Sequence, residues 1–159
     1  MEKLTHFNEA GRARMVDVSN KDETCRIAKA MALVYVNENT FNLIKDGKMK
    51  KGDVLAVAQV AGIMGAKKTS DIIPMCHPIN LTNVDIDFEL DEKLFTIKVI
   101  ATAKCVGQTG VEMEAMSAAS IASLTIYDMC KAAQRDIKIS EICLLEKDGG
   151  KSGHYTLEK

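Results

Sequence analysis

A chain of 159 residues with a formal charge of −1 is the size of one domain and too short for two, so a single domain over 1–159 is expected. The near-neutral charge excludes bulk, sequence-independent nucleic-acid binding, which needs a strong positive field. The longest apolar run, Val54 to Ala66, is too short to span a bilayer. With no Trp, 4% aromatics and nine Met, the core must be aliphatic and rich in small residues.

The opening Met1-Glu2-Lys3-Leu4-Thr5-His6 has no basic patch followed by an apolar stretch, so no secretory signal is expected and a cytoplasmic location is. Residues 1 to about 20 read as an arm or long loop around Met15-Val16-Asp17-Val18. Cys25 to Val36 alternates and ends in β-branched residues, which predicts a strand. Asn39 or Thr40 then caps a short helix carrying Phe41, Leu43 and Ile44, stopped by Asp46-Gly47. After a lysine-rich turn, Asp53 caps Val54 to Ala66, a helix apolar all round and therefore expected to be buried all round.

Lys67 to Pro78 holds both prolines and the only mid-chain histidine. Pro74 and Pro78 predict a stiff, non-helical Met75-Cys76-His77. Leu81–Leu90 and Leu94–Cys105 alternate with period two around Asp91-Glu92-Lys93, a hairpin. Thr109 and Glu112 have capping-box spacing ahead of a long helix from about Val111 to Arg135. Ile137 to Leu145 alternates as a last strand, and a Gly-rich tail occupies about 148–159.

Strand, helices, strand, strand, helix, strand is the βαββαβ order of the ferredoxin-like α+β fold, an antiparallel sheet with helices on one face. Two helices this poor in charge exceed what one sheet face covers, so burial by a second subunit, and hence a homo-oligomer, is expected.

Between Glu114 and Lys131 the long helix carries one charge, Asp128. Asp128 and Lys131 are helical neighbours with Thr125 on the same side: a structural ion pair, or a catalytic pair whose isolation makes both groups tunable. Glu112 reads as the capping-box acid and Glu114 as a complement to the helix dipole, or the carboxyls accept paired N–H donors from a guanine-like edge. His77 is a turn residue or a proton shuttle, because histidine titrates near neutrality.

The five cysteines are scattered without zinc spacing, nothing marks Cys76 as an activated nucleophile, and no metal site is expected. Lys51 and Lys67 bracket the apolar helix, while Lys48 and Lys50 read as solvation. Gly149-Gly150-Lys151-Ser152-Gly153 has half a phosphate-loop pattern, but Leu145 stands where its first glycine belongs, so a Walker loop is rejected.

Taken together, Leu4-Thr5-His6, Met15-Val16-Asp17-Val18, Lys51-Gly52-Asp53-Val54, Ala61-Gly62-Ile63-Met64, Lys67-x-Thr69 and Ile73-Pro74-Met75-Cys76-His77-Pro78 form the first part of a recognisable set. Gly110-Val111-Glu112-Met113-Glu114-Ala115, Leu124 to Ala132 and Gly149 to Gly153 complete it. In this order they resemble the molybdenum cofactor biosynthesis protein C family, over about Leu4 to His154, with Met75 where Leu is expected.

The resemblance implies a homohexamer built as a trimer of dimers, with active sites at the dimer interface. It implies a lyase that converts 3′,8-cyclo-7,8-dihydroguanosine 5′-triphosphate, made by a separate radical enzyme, to cyclic pyranopterin monophosphate with release of pyrophosphate. No cofactor is required on this reading, although magnesium can accompany the triphosphate.

Carried over residue by residue, it makes Asp128, Lys131, Lys51 and His77 the acid–base groups. Arg26, Lys67 and Lys147 become triphosphate ligands. Met75, Cys76, His77, Met113, Glu114 and Glu112 become the substrate lining. The competing reading is a non-catalytic, triphosphate-binding regulatory oligomer on the same fold.

Overall fold

The computed structural model describes residues 8–158, so the Leu4-Thr5-His6 motif lies outside the described residues. Five antiparallel strands form one sheet in the order β2-β3-β1-β4-β5: β1 Thr24–Tyr35, β2 Leu81–Asp91, β3 Thr96–Gly107, β4 Lys138–Asp148 and β5 Tyr155–Thr156. The first four follow the ferredoxin-like order. The short β5, missed in the sequence, pairs Thr156 and Tyr155 with Glu146 and Lys147 of β4.

On one face lie α2 (Val54–Lys67) and α4 (Glu112–Cys130), with α1 (Glu38–Lys45) and the single turn α3 (Thr69–Ile72) at connections. Every second residue of β1 from Arg26 to Val34 faces this layer. Ala28, Ala30, Ala32, Ala101 and Ala103 of the sheet are buried with Ala115, Ala118, Ala119 and Ala122 of α4. Small residues on both sides bring helix and sheet backbones close together. Gly62 and Gly65 do the same between α2 and α4: a Cβ at Gly62 would lie 2.9 Å from the Ala118 carbonyl oxygen, and one at Gly65 2.8 Å from Ile121.

Several local expectations are corrected. Asn37, rather than Asn39 or Thr40, caps α1, its side chain accepting the Thr40 N–H at 2.8 Å. The capping box does not form: Val111 is the N-cap residue of α4 and makes no side-chain bond, while the Glu112 carboxyl folds back over Gly110. The helix ends at Cys130, short of Arg135, in a turn whose Ala133 and Gln134 N–H groups both reach the Cys130 carbonyl. Gln134 then accepts the Asn37 N–H, tying that turn to the start of α1.

The hairpin turn extends to Phe95 because the Asp91 carboxylate accepts N–H bonds from Lys93 and Leu94, so β3 starts at Thr96 and not Leu94. Finally, α2 is not buried all round within the subunit. Val57, Val60 and Met64, spaced along one face, are exposed, as is Leu124 of α4.

Candidate functional site: two clusters at opposite ends of one helix

Where α4 ends, the chain brings three of the predicted acid–base residues together. The Asp128 Oδ1 accepts from Lys131 Nζ at 2.7 Å, and its Oδ2 accepts from Lys51 Nζ at 3.1 Å. Lys51 also donates to the Asp128 backbone carbonyl at 2.8 Å. Lys131 follows from one helical turn, whereas Lys51 is fixed by the loop ahead of α2, which the two glycines of α2 hold against α4.

The Asp128 side chain is 56% exposed, so the one charge in this stretch of α4 sits at the surface of the chain. The Lys131 ammonium, then that of Lys51, holds the Asp128 carboxyl below the ordinary carboxylate range. Asp128 in turn raises Lys131 above the usual lysine value. An ionised carboxylate therefore bridges two ammonium groups, a patch of net charge +1. Exposed ion pairs contribute little to folding, and a net cationic, open patch suits an anionic ligand.

At the other end of α4 lies a cleft of about 290 Å³. Met75, Cys76 and His77 line one side, Glu112, Met113 and Glu114 another. As Pro74 and Pro78 predict, the Met75-Cys76-His77 segment is non-helical. The third side was not anticipated: Val16, Val18 and Lys21 of the N-terminal arm close it. The alternation in Met15-Val16-Asp17-Val18 was the available signal.

The Val16 carbonyl lies 2.7 Å from His77 Nε2. A carbonyl only accepts, so Nε2 carries the proton and Nδ1 of the neutral ring is left as the acceptor. Cys76 is a poor nucleophile here, because burial, then the Glu114 charge, raises its thiol above the ordinary range. Glu114 is 3% exposed, and burial lifts its carboxyl above the usual range, with Glu112 adding to the shift.

Arg26 emerges from the start of β1 at this same end, 8% exposed, with Nε donating to the Gly107 carbonyl at 3.3 Å. Its guanidinium packs against Gly149-Gly150, both at positive φ; a Cβ at Gly150 would collide with Arg26 Nη1. Lys147 donates to Ser152 Oγ across the same loop. The half phosphate-loop sequence is thus a glycine turn laid over an arginine. Lys67 ends α2 as an exposed cation with no ion-pair partner among the described residues.

The predicted residues therefore fall into two groups. Fourteen residues of α4 separate Glu114 from Asp128, about 21 Å at roughly 1.5 Å of rise per residue. The ion-paired carboxylate and the carboxyl-lined cleft of one chain thus lie at opposite ends of α4. Among the described residues no three His, Cys, Asp or Glu side chains gather as a metal cluster, and no helix is long and apolar enough to cross a membrane.

Fold and clusters together define a ferredoxin-like chain that presents a net cationic, ion-paired patch at one end of α4 and a carboxyl-lined cleft at the other. A family model described as the MoaC family matches residues 15–150, and the chain belongs to that family. Three relatives are each named cyclic pyranopterin monophosphate synthase. That of Thermoanaerobacter sp. (strain X514) is 62% identical over 155 residues, covering 98% of both chains. That of Peptoclostridium acidaminophilum is 59% identical over 156 residues, also 98% of both. That of Heliobacterium modesticaldum is 56% identical over 159 residues, the whole of both.

Proposed function

We propose that the chain acts as a cyclic pyranopterin monophosphate synthase, a lyase of molybdenum cofactor biosynthesis, with each site assembled from the Asp128 end of one subunit and the His77 end of another. Full-length similarity to the synthases supports the activity. The observation that carries the composite site is the separation of about 21 Å between the two clusters along α4. The exposed Val57, Val60, Met64 and Leu124 supply apolar surface for a subunit contact.

On this reading the subunits form a cytoplasmic homohexamer, a trimer of dimers, acting after a separate radical enzyme. The substrate is 3′,8-cyclo-7,8-dihydroguanosine 5′-triphosphate. No resident cofactor is needed, and any magnesium arrives with the triphosphate. Arg26, Lys67 and Lys147 neutralise the triphosphate, and Met75, Cys76, Glu112, Met113 and Glu114 hold the ring system.

Asp128 is kept ionised by its two lysines, so it accepts protons or orients Lys51 and Lys131, and the charged Lys131 is the proton source. His77 offers Nδ1 as a second acceptor. Closure of the cyclic phosphate forms one P–O bond at the α-phosphorus and breaks another, and the departing pyrophosphate leaves from among the cations.

The test is mass spectrometry of purified protein incubated with the cyclic dihydro-GTP intermediate. Cyclic pyranopterin monophosphate and pyrophosphate in equal amounts are expected. Tight binding without product would return the protein to the regulatory class.

A further inference from the structure

The Met15-Val16-Asp17-Val18 stretch has no part in the acid–base scheme, yet the structure lays it along the cleft. Val16 and Val18 are half-buried while Met15 and Asp17 are exposed, the alternation of an extended chain with one apolar side. From this stretch the Val16 carbonyl accepts the His77 Nε2–H at 2.7 Å.

Asp17 is exposed, but its carboxylate is committed. Oδ1 accepts the Ser19 N–H at 2.9 Å and the Ser19 hydroxyl at 2.6 Å, and the Lys21 N–H donates to the Val18 carbonyl at 2.9 Å. These bonds close two successive turns that end the extended stretch and lead the chain into β1. The Val16 carbonyl and the Asp17 N–H share one planar peptide, so fixing the Asp17 backbone also fixes the direction of that carbonyl. Hydrogen bonds from Ser19, then the charges of Arg14 and His77, hold the Asp17 carboxyl below the ordinary range, so carboxylate and ring lie within electrostatic reach of each other.

We infer that Asp17 is a positioning residue for His77: by closing the Ser19 turn it holds the Val16 carbonyl on Nε2–H and so keeps Nδ1 of the neutral ring as the open acceptor. A turn that merely shaped an exposed loop would leave the ring unaffected. An arm this exposed has little packing to offset the entropy of ordering it, so loss of the turn releases the carbonyl instead of being absorbed by neighbours. The catalytic part of the inference rests on the proposed acid–base role of His77; the contact itself does not.

Full-length protein with isotopically labelled histidine is followed by NMR at about pH 8, above the ordinary histidine range. The His77 line is identified by its absence in His77→Gln. A hydrogen-bonded ring N–H exchanges slowly with water and gives a resolved downfield line, which a free one does not. Wild type should show that line. Asp17→Ala should lose it, and kcat on the cyclic dihydro-GTP intermediate should fall about ten- to a hundredfold, as for a displaced catalytic group, with KM within about twofold. Asp17→Asn keeps an oxygen for both Ser19 donors, so the line and most of the turnover should return.

An Asp17→Ala protein that keeps both line and turnover would overturn the inference, as would a fall in turnover with the line intact. Loss of the line in Asp17→Asn as well would assign the effect to charge and overturn the role of the turn. No line in wild type would overturn the contact itself. If wild type makes no product, the synthase reading fails, while the line in Asp17→Ala still decides the positioning claim.

Discussion

Replacing Gly62 by Ala probes the contact that brings Lys51 to Asp128. In an exposed helix the change would add about 1 kcal/mol of stability, because Ala is the better helix former. Here the new methyl would lie 2.9 Å from the Ala118 carbonyl oxygen and 3.1 Å from the Ala122 methyl, and would overlap the end of Ile86. Ile86 can swing aside, but the carbonyl belongs to α4 and cannot move without the helix. Overpacking costs about 1 to 3 kcal/mol, and a backbone obstacle puts this case in the upper half.

The net expectation is a loss of about 1 to 2 kcal/mol, or roughly 0.5 to 1 M in the urea midpoint for a slope near 2 kcal/mol per molar. Because α2 begins just after Lys51, pushing α2 from α4 also draws its ammonium away from Asp128, so turnover should fall with stability. Urea unfolding followed by circular dichroism, with turnover measured in parallel, checks both. A variant as stable as wild type would refute the claim that glycine is there for close approach.

Asp128→Asn should leave the urea midpoint unchanged, because its ion pairs are exposed, while turnover falls at least about a hundredfold; unchanged turnover removes Asp128 from the mechanism. Glu114→Gln should gain stability relative to wild type as pH rises from the ordinary glutamate value, about 4.3, through the raised native one. The sign follows from burial, which favours the protonated acid and makes the folded state lose ground as Glu114 ionises. Urea midpoints at several pH values should therefore diverge upward, and a constant gap would contradict the argument. Nitrogen NMR of His77 should show the proton on Nε2, and Val16→Pro should leave that preference intact, since the contact is made by the carbonyl. A proton on Nδ1 in wild type would reverse the assignment of the free acceptor.

The sheet was legible because β1, β2 and β3 bury alternate residues, so period two in the sequence maps directly onto the two faces. The α4 boundaries were not, since both ends depend on neighbours. Val111 starts the helix without a side-chain cap, and the Cys130 turn is set by contact with the start of α1. At α2, apolar residues all round implied more buried surface than one sheet face covers, and within a single chain Val57, Val60 and Met64 are exposed, as that reading requires. Asp128 and Lys131 were readable from helical spacing. Lys51 joined them through family resemblance, because its approach is a contact between residues 77 apart in the chain. The alternation in Met15-Val16-Asp17-Val18 marks an arm segment with an apolar side, but that it docks against the cleft, with Lys21, is a long-range contact that local pattern does not carry.

The composite site is tested most directly by mixing two inactive variants, Asp128→Asn and His77→Ala, whose lesions lie at opposite ends of α4. If each site takes one end from each subunit, random exchange makes about half of the dimers mixed, and each mixed dimer holds one intact site, so about a quarter of wild-type turnover should return. No return of activity after subunit exchange has been verified by native mass spectrometry would mean that both residues serve the same subunit's site.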